Sequence, residues 1–295
     1  MTIPANSEYR LDLGGTVIAI HCNPAQIGPG LARWFARASS DLEPHIKLEL
    51  EVIDGPYESD LPTSLLTTKS VTAEGKFRIA DDLITGEFDP VAGSGLIRAN
   101  EVLFKTPLVR ILEQIFYQAF YSARQFSGLD SFLVHSSAVV SKGNGFLFVG
   151  PSEAGKTTAA RCSSEFQVLG DEMNLVIRTV DGFVVEGTGF NGLFREKSPG
   201  RAPLKAIFLL KQAPKHALLE IPYIDATMAL AAEIVPPIGL DKIPNAETLP
   251  FMVDAADEIL QGVPARYLEF KPDPGFWPLI HREFGSNTDQ GTTNP

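Results

Sequence analysis

Cysteine is scarce: Cys22 and Cys162 are the only two in 295 residues. That excludes a disulfide framework and a cysteine-rich zinc site. The five histidines are scattered and form no H-E-x-x-H pair, so the usual zinc-hydrolase arrangement is absent as well. Basic charge is in deficit, with a formal net charge of −11 and an isoelectric point of about 5.0. A nucleic-acid partner is therefore not expected, because neutralising phosphates needs a basic surface. No uninterrupted apolar run approaches the length of a membrane span, so no membrane partner is expected. The stretch Met1-Thr2-Ile3-Pro4-Ala5-Asn6 has neither a basic nor an apolar leader region, and the expected location is cytoplasmic.

What is present is a soluble-type composition, 44% hydrophobic and 21% charged, with enough apolar residues for a large core. Within it stands Gly150-Pro151-Ser152-Glu153-Ala154-Gly155-Lys156-Thr157. This is G-x-x-x-x-G-K-[ST], the phosphate-binding P-loop (Walker A) pattern. By chance such a pattern arises in roughly 1% of chains of this length. Its context strengthens it. Gly145-Phe146-Leu147-Phe148-Val149 reads as a buried strand, and Thr157-Thr158-Ala159-Ala160 suits the start of a helix. Glycines let the backbone wrap an anion, and successive amides face it. Gly150 to Thr158 are thus the candidate nucleotide-binding residues. Lys156 reaches the β- and γ-phosphates, and the Thr157 hydroxyl is a candidate Mg²⁺ ligand.

Residues 1–105 read as a β-rich N-terminal domain without a chemical motif. Two strands flank Gly14-Gly15, a hairpin signal, and Ile46 to Val52 alternates apolar with charged residues, as a half-buried strand does. Further strands are expected near 76–79, 83–88 and 95–99, and a short helix at 30–37. The apolar residues that recur at helical spacing from Pro107 to about Gly128 predict a helix opening a second domain, 106–284. Ser131 to Val140 should pair with the P-loop strand through a turn at Asn144-Gly145. Phe166 to Glu172 reads as a strand returning beside the P-loop strand, ending in the acids Asp171 and Glu172. A second hairpin is expected at Asp181-Gly182, a buried strand at 205–211, helices at 225–234 and 245–261, and a last strand at 265–270. Gly187 to Lys197 is a glycine-rich loop, either a connector or a lid carrying Arg195 and Lys197. Residues 285–295 read as a disordered tail. The expected class is α/β, or mixed α+β: a P-loop nucleotide-binding domain preceded by the β-rich one.

His135-Ser136-Ser137, the following hairpin, the P-loop and the acids at 171–172 together resemble the catalytic domain of HPr kinase/phosphorylase and related P-loop serine kinases. Those enzymes are similar to phosphoenolpyruvate carboxykinase around the nucleotide. The resemblance is most specific from His135 to Glu172 and does not cover residues 1–105. The chain departs from that pattern at Glu153, Thr157 and Glu172. The resemblance implies that Asp171 and Glu172 bind metal and act as base on a serine hydroxyl, with His135 close by. It also implies an oligomer, while HPr itself fits poorly as a substrate.

The leading expectation is an ATP-dependent kinase using Mg²⁺ and acting on a hydroxyl of a protein, peptide or small molecule. Its catalytic residues would be Lys156, Asp171, Glu172 and His135, and its metal ligands Thr157 and Asp171. Adjacent residues on a strand face opposite sides, so both acids can serve one site only if the strand ends before them. The alternative is a non-catalytic nucleotide-binding regulator or scaffold, with partner recognition by the N-terminal domain. A nucleotide hydrolase is the third reading.

Overall fold

The computed structural model describes residues 8–13, 16–23, 43–53, 68–71, 76–80, 83–89, 91–101, 116, 119, 120, 130–188, 198, 200–236 and 248–285. The expected helix at 30–37, most of the one at 107–128, Arg195, Lys197 and the tail lie outside these residues. Phe116, Ala119 and Phe120, at helical spacing, are helical and buried. The chain divides into two compact units. One is Met1–Leu133 with Thr188–Asn191 and Val235–Met252; the other is Val134–Gly187, Gly192–Ile234 and Val253–Pro295.

The first unit carries a seven-stranded sheet. Its strands are β1 (Glu8–Leu13), β2 (Thr16–Asn23), β3 (Ile46–Ile53), β4 (Thr68–Val71), β5 (Phe77–Ala80), β6 (Ile84–Asp89) and β7 (Ser94–Asn100), in the order β1-β2-β3-β7-β6-β5-β4. β1 and β2 pair antiparallel, with Leu13 opposite Thr16, as the hairpin signal predicts. β2, β3 and β7 run parallel, and β4 to β7 form an antiparallel meander. The alternation in β3 is realised: Ile46, Leu48 and Leu50 are buried while Lys47 and Glu49 are exposed.

The second sheet is built from β8 (Ser131–Ser141), β9 (Asn144–Val149), β10 (Gln167–Gly170), β11 (Met173–Thr179), β12 (Gly182–Gly187), β13 (Arg201–Gln212), β14 (Ala217–Leu219) and β15 (Ala265–Phe270). Among the described residues four α-helices accompany them: α1 (Lys156–Arg161), α2 (Tyr223–Ala231), α3 (Thr248–Gly262) and α4 (Trp277–Phe284). At the centre β9, β13 and β15 run parallel. β13 takes one edge of β9 and β8, antiparallel, takes the other.

Three sequence expectations need correction. The β8–β9 turn is Lys142-Gly143, not Asn144-Gly145: Ser141 pairs with Asn144, and φ is +51° at Lys142 and +76° at Gly143. Positive φ at both central residues is what a tight two-residue hairpin requires. The β11–β12 turn likewise falls one residue earlier, at Val180-Asp181, with Thr179 opposite Gly182. Finally, β10 pairs with β8 rather than with β9, whose two edges are already filled.

The core of this unit is aromatic. Phe146, Phe148, Phe208, Phe270, Phe276, Trp277 and Phe284 pack with Ala159, Ala160 and Ile280. Phe148 meets Phe276 edge-on at 5.9 Å and Trp277 at 6.0 Å. The indole Nε1–H of Trp277 donates to Ser163 Oγ at 3.0 Å, just beyond α1. Small residues on α1 let it lie close to these rings, which fixes where the loop before it opens.

Candidate functional site

The loop from Gly150 to Gly155 joins β9 to α1. Gly150 (φ +152°) and Gly155 (φ +111°) occupy backbone conformations that side chains disfavour. A Cβ at Gly155 would also stand 2.7 Å from the Phe270 ring, so the glycine is required twice over. Glu153 has φ +67°, an uncommon value for a non-glycine residue. Its carbonyl accepts from Gln212 Nε2 at 2.8 Å, which braces the bend from the end of β13. Pro151, Ser152 and Glu153 are exposed, Ala154, Gly155, Thr157 and Thr158 half-buried, and Gly150 and Lys156 buried. α1 has only six residues, so its dipole adds little. Loop amides and Lys156 are the groups able to meet an anion.

Lys156 turns back into the loop. Its Nζ donates to the carbonyls of Gly150 at 2.5 Å and Pro151 at 3.2 Å. It also lies 3.7 Å from Glu233 Oε2, and the two side chains are 8% and 7% exposed. The same Glu233 oxygen is 3.0 Å from His135 Nδ1, while His135 Nε2 faces Glu172 Oε1 at 3.9 Å. Asp171 is 1% exposed, and its Oδ2 accepts from Thr157 Oγ1 at 3.5 Å. All the expected catalytic residues, Lys156, Asp171, Glu172 and His135, therefore lie in one linked cluster. β10 has ended at Gly170, which lets Asp171 turn towards Thr157 and Glu172 towards His135.

β8 organises the cluster through three consecutive residues. His135 supplies the imidazole. The Ser136 backbone N–H donates to the Glu172 carbonyl at 3.1 Å, holding the acid pair. The Ser137 hydroxyl donates to the Lys156 carbonyl at 2.6 Å, pinning the loop–helix junction. Both serines are fully buried. Asn174 adds a further tie, donating to the carbonyl and hydroxyl of Ser136 at 2.8 and 3.0 Å.

Glu233 is the residue that sequence reasoning did not single out. It follows α2, where the chain turns and runs beside β8. Val134 and Ile234 form an isolated antiparallel bridge, and the His135 N–H donates to the Glu233 carbonyl at 2.7 Å. Its only local signal is an acid between Ala232 and Ile234, in a stretch that otherwise reads as apolar.

Among the described residues, no group of three or more His, Cys, Asp or Glu side chains is arranged to hold a metal. Both cysteine thiols are shifted away from the thiolate form. Burial, helped by the charge of Glu49, pushes the Cys22 thiol up to about 11. Burial, helped by Asp273, raises Cys162 too. No helix among the described residues is long and apolar enough to cross a membrane.

No curated protein matches this chain. A family model does, over residues 101–283, and it corrects the resemblance to HPr kinase/phosphorylase: the matching family is described as SynChlorMet cassette protein ScmC, not as an HPr kinase family. The residues that carried that resemblance, 135–172, are a glycine loop with the strands and acids beside it. A short run of motif residues did not identify the family that the longer match identifies. The match covers more than half of the chain, which therefore belongs to the ScmC family.

Proposed function

We propose that this chain is an ATP-dependent kinase whose P-loop, Gly150 to Thr157, holds Mg-ATP, and that it phosphorylates a serine or other hydroxyl of a protein, peptide or small molecule. The observation that carries the reading is the Lys156 ammonium curled over its own loop onto the Gly150 and Pro151 carbonyls, with Thr157 and Asp171 side by side behind it. A lysine held there is positioned to meet terminal phosphates, and the exposed loop backbone can close around them.

Thr157 and Asp171 are the two groups that suit Mg²⁺. This ion takes one or two protein oxygens and completes its shell from phosphate and water, so a cage of three acids is not needed. When bound, Mg²⁺ would neutralise charge on the phosphates. Lys156 and the loop amides add to that neutralisation. Gly155 and the Phe270 ring keep the loop in shape, and the Ser137 tie fixes where Lys156 begins. His135 and Glu172 stand on the neighbouring strand and turn, where one of them can take the proton from the acceptor hydroxyl.

The buried Glu233 carboxylate near Lys156 favours one other reading, a nucleotide-binding regulator, because Lys156 must share itself between that acid and phosphate. Turnover separates the two. Incubation with γ-labelled ATP, Mg²⁺ and a panel of hydroxyl acceptors should give a labelled acceptor with wild type and none with Asp171→Asn. Binding of Mg-ATP without any labelled acceptor or released phosphate would contradict the kinase reading.

A further inference from the structure

We infer that Glu233 is a positioning residue that sets the tautomer of His135 and so makes its Nε2 the proton acceptor of the transfer; the inference rests on the kinase reading above. Three observations carry it. The Glu233 carboxylate is 7% exposed and lies 3.0 Å from His135 Nδ1, a hydrogen-bond distance at which a carboxylate only accepts. The proton of the neutral ring therefore belongs on Nδ1, and the lone pair on Nε2. Second, the geometry is held from the backbone as well as the side chain, through the His135 N–H to Glu233 carbonyl bond of 2.7 Å and the Val134–Ile234 bridge. The backbones that carry the imidazole and the carboxylate are thus tied together, β8 to the turn after α2. Third, Nε2 points to the side of Glu172, but at 3.9 Å the two are beyond hydrogen-bond reach. The His135 side chain is 34% exposed, so an acceptor can approach it.

In the transfer, the acceptor hydroxyl gives its proton to Nε2 as its oxygen bonds to the γ-phosphorus of ATP. The bond from that phosphorus to the bridging oxygen breaks, and ADP leaves. The imidazolium formed is stabilised by the Glu233 carboxylate on Nδ1. The same carboxylate faces Lys156 Nζ at 3.7 Å, so one buried acid ties the base to the phosphate-binding lysine. This explains why a charge is kept where burial is costly.

The test reads the tautomer directly. In nucleotide-free protein labelled with ¹⁵N-histidine, at alkaline pH, the ring-nitrogen shifts of His135 (assigned by loss in His135→Gln) should report Nδ1–H. Glu233→Met removes the acceptor and should erase that preference. Glu233→Gln keeps one acceptor oxygen, gains a donor and loses the charge, so it should weaken the Nδ1–H preference and retain part of the rate. For Glu233→Met, kcat should fall by about 10²-fold while Mg-ATP binds as well as to wild type or better, because a negative charge has left the vicinity of Lys156. An Nε2–H tautomer in wild type, an unchanged kcat in Glu233→Met, or ATP binding that weakens in step with kcat would each overturn the inference. A wild type with the Nδ1–H tautomer that transfers no phosphate contradicts the kinase reading instead, so the two failures are told apart.

Discussion

Both sheets of this protein carry exposed ion pairs, but among the described residues only the second unit buries charged side chains. Among the described residues of the first unit, the ion pairs reach the surface. Arg98 meets Glu51 at 2.8 Å with both side chains well exposed, and Lys76 and Arg78 share Glu87. In the second unit, Lys156, Glu233 and Asp171 are buried and converge behind one loop. Exposed pairs are inexpensive and contribute little. Buried charges cost desolvation and persist where geometry compensates them or where chemistry needs them. The buried charges of the second unit are those on which the proposed kinase reading rests. An aromatic core packs against β9, β13 and α1, next to the loop.

The comparison can be broken most forcefully at the core. Trp277→Ala removes a nearly buried ring that touches Phe146, Phe148 and Phe166 and the hydrogen bond to Ser163. A loss of about 3–5 kcal/mol is expected in denaturant unfolding of the second unit. A next test addresses the buried charges. Lys156→Ala leaves Glu233, among the described residues, with only the imidazole beside its carboxylate, and breaking such a pair typically costs about 3–5 kcal/mol. The double variant Lys156→Met, Glu233→Gln should recover most of that loss, since no buried charge is stranded. If the double variant is no more stable than the single one, the cost comes from lost packing. The smallest effect belongs to the first sheet. Arg98→Ala should change stability by under about 1 kcal/mol, and less in high salt. A larger change would mean that the two regions do not differ as described.

Much of this was legible locally. The period-two alternation of Ile46 to Val52, the buried run before Gly150 and the short α1 follow from residues close in sequence. So do the paired fates of Asp171 and Glu172 once β10 ends at Gly170. What was not legible depends on distant pairing. β10 chooses β8 because β13, some forty residues on, fills the other edge of β9. Glu233 enters the site because the segment after α2 bridges to Val134, a contact about a hundred residues long in sequence that no local pattern encodes. The hairpin turn shifted because Lys142-Gly143 could supply positive φ and let Asn144 and Gly145 join β9, where a Cβ at Gly145 would strike Val185 at 2.4 Å. Family membership failed for a related reason: the motif residues span only 135–172, while the family match runs over 101–283.

The most direct measurement is the unfolding midpoint with and without Mg-ATP, for wild type and Lys156→Ala, each against its own nucleotide-free value. Ligand at about a hundred times its dissociation constant adds about 2.7 kcal/mol, enough to raise the midpoint by a few degrees. The account expects that rise in wild type and its loss in Lys156→Ala. No rise in wild type, or an equal rise in both, would contradict a nucleotide site built on this loop.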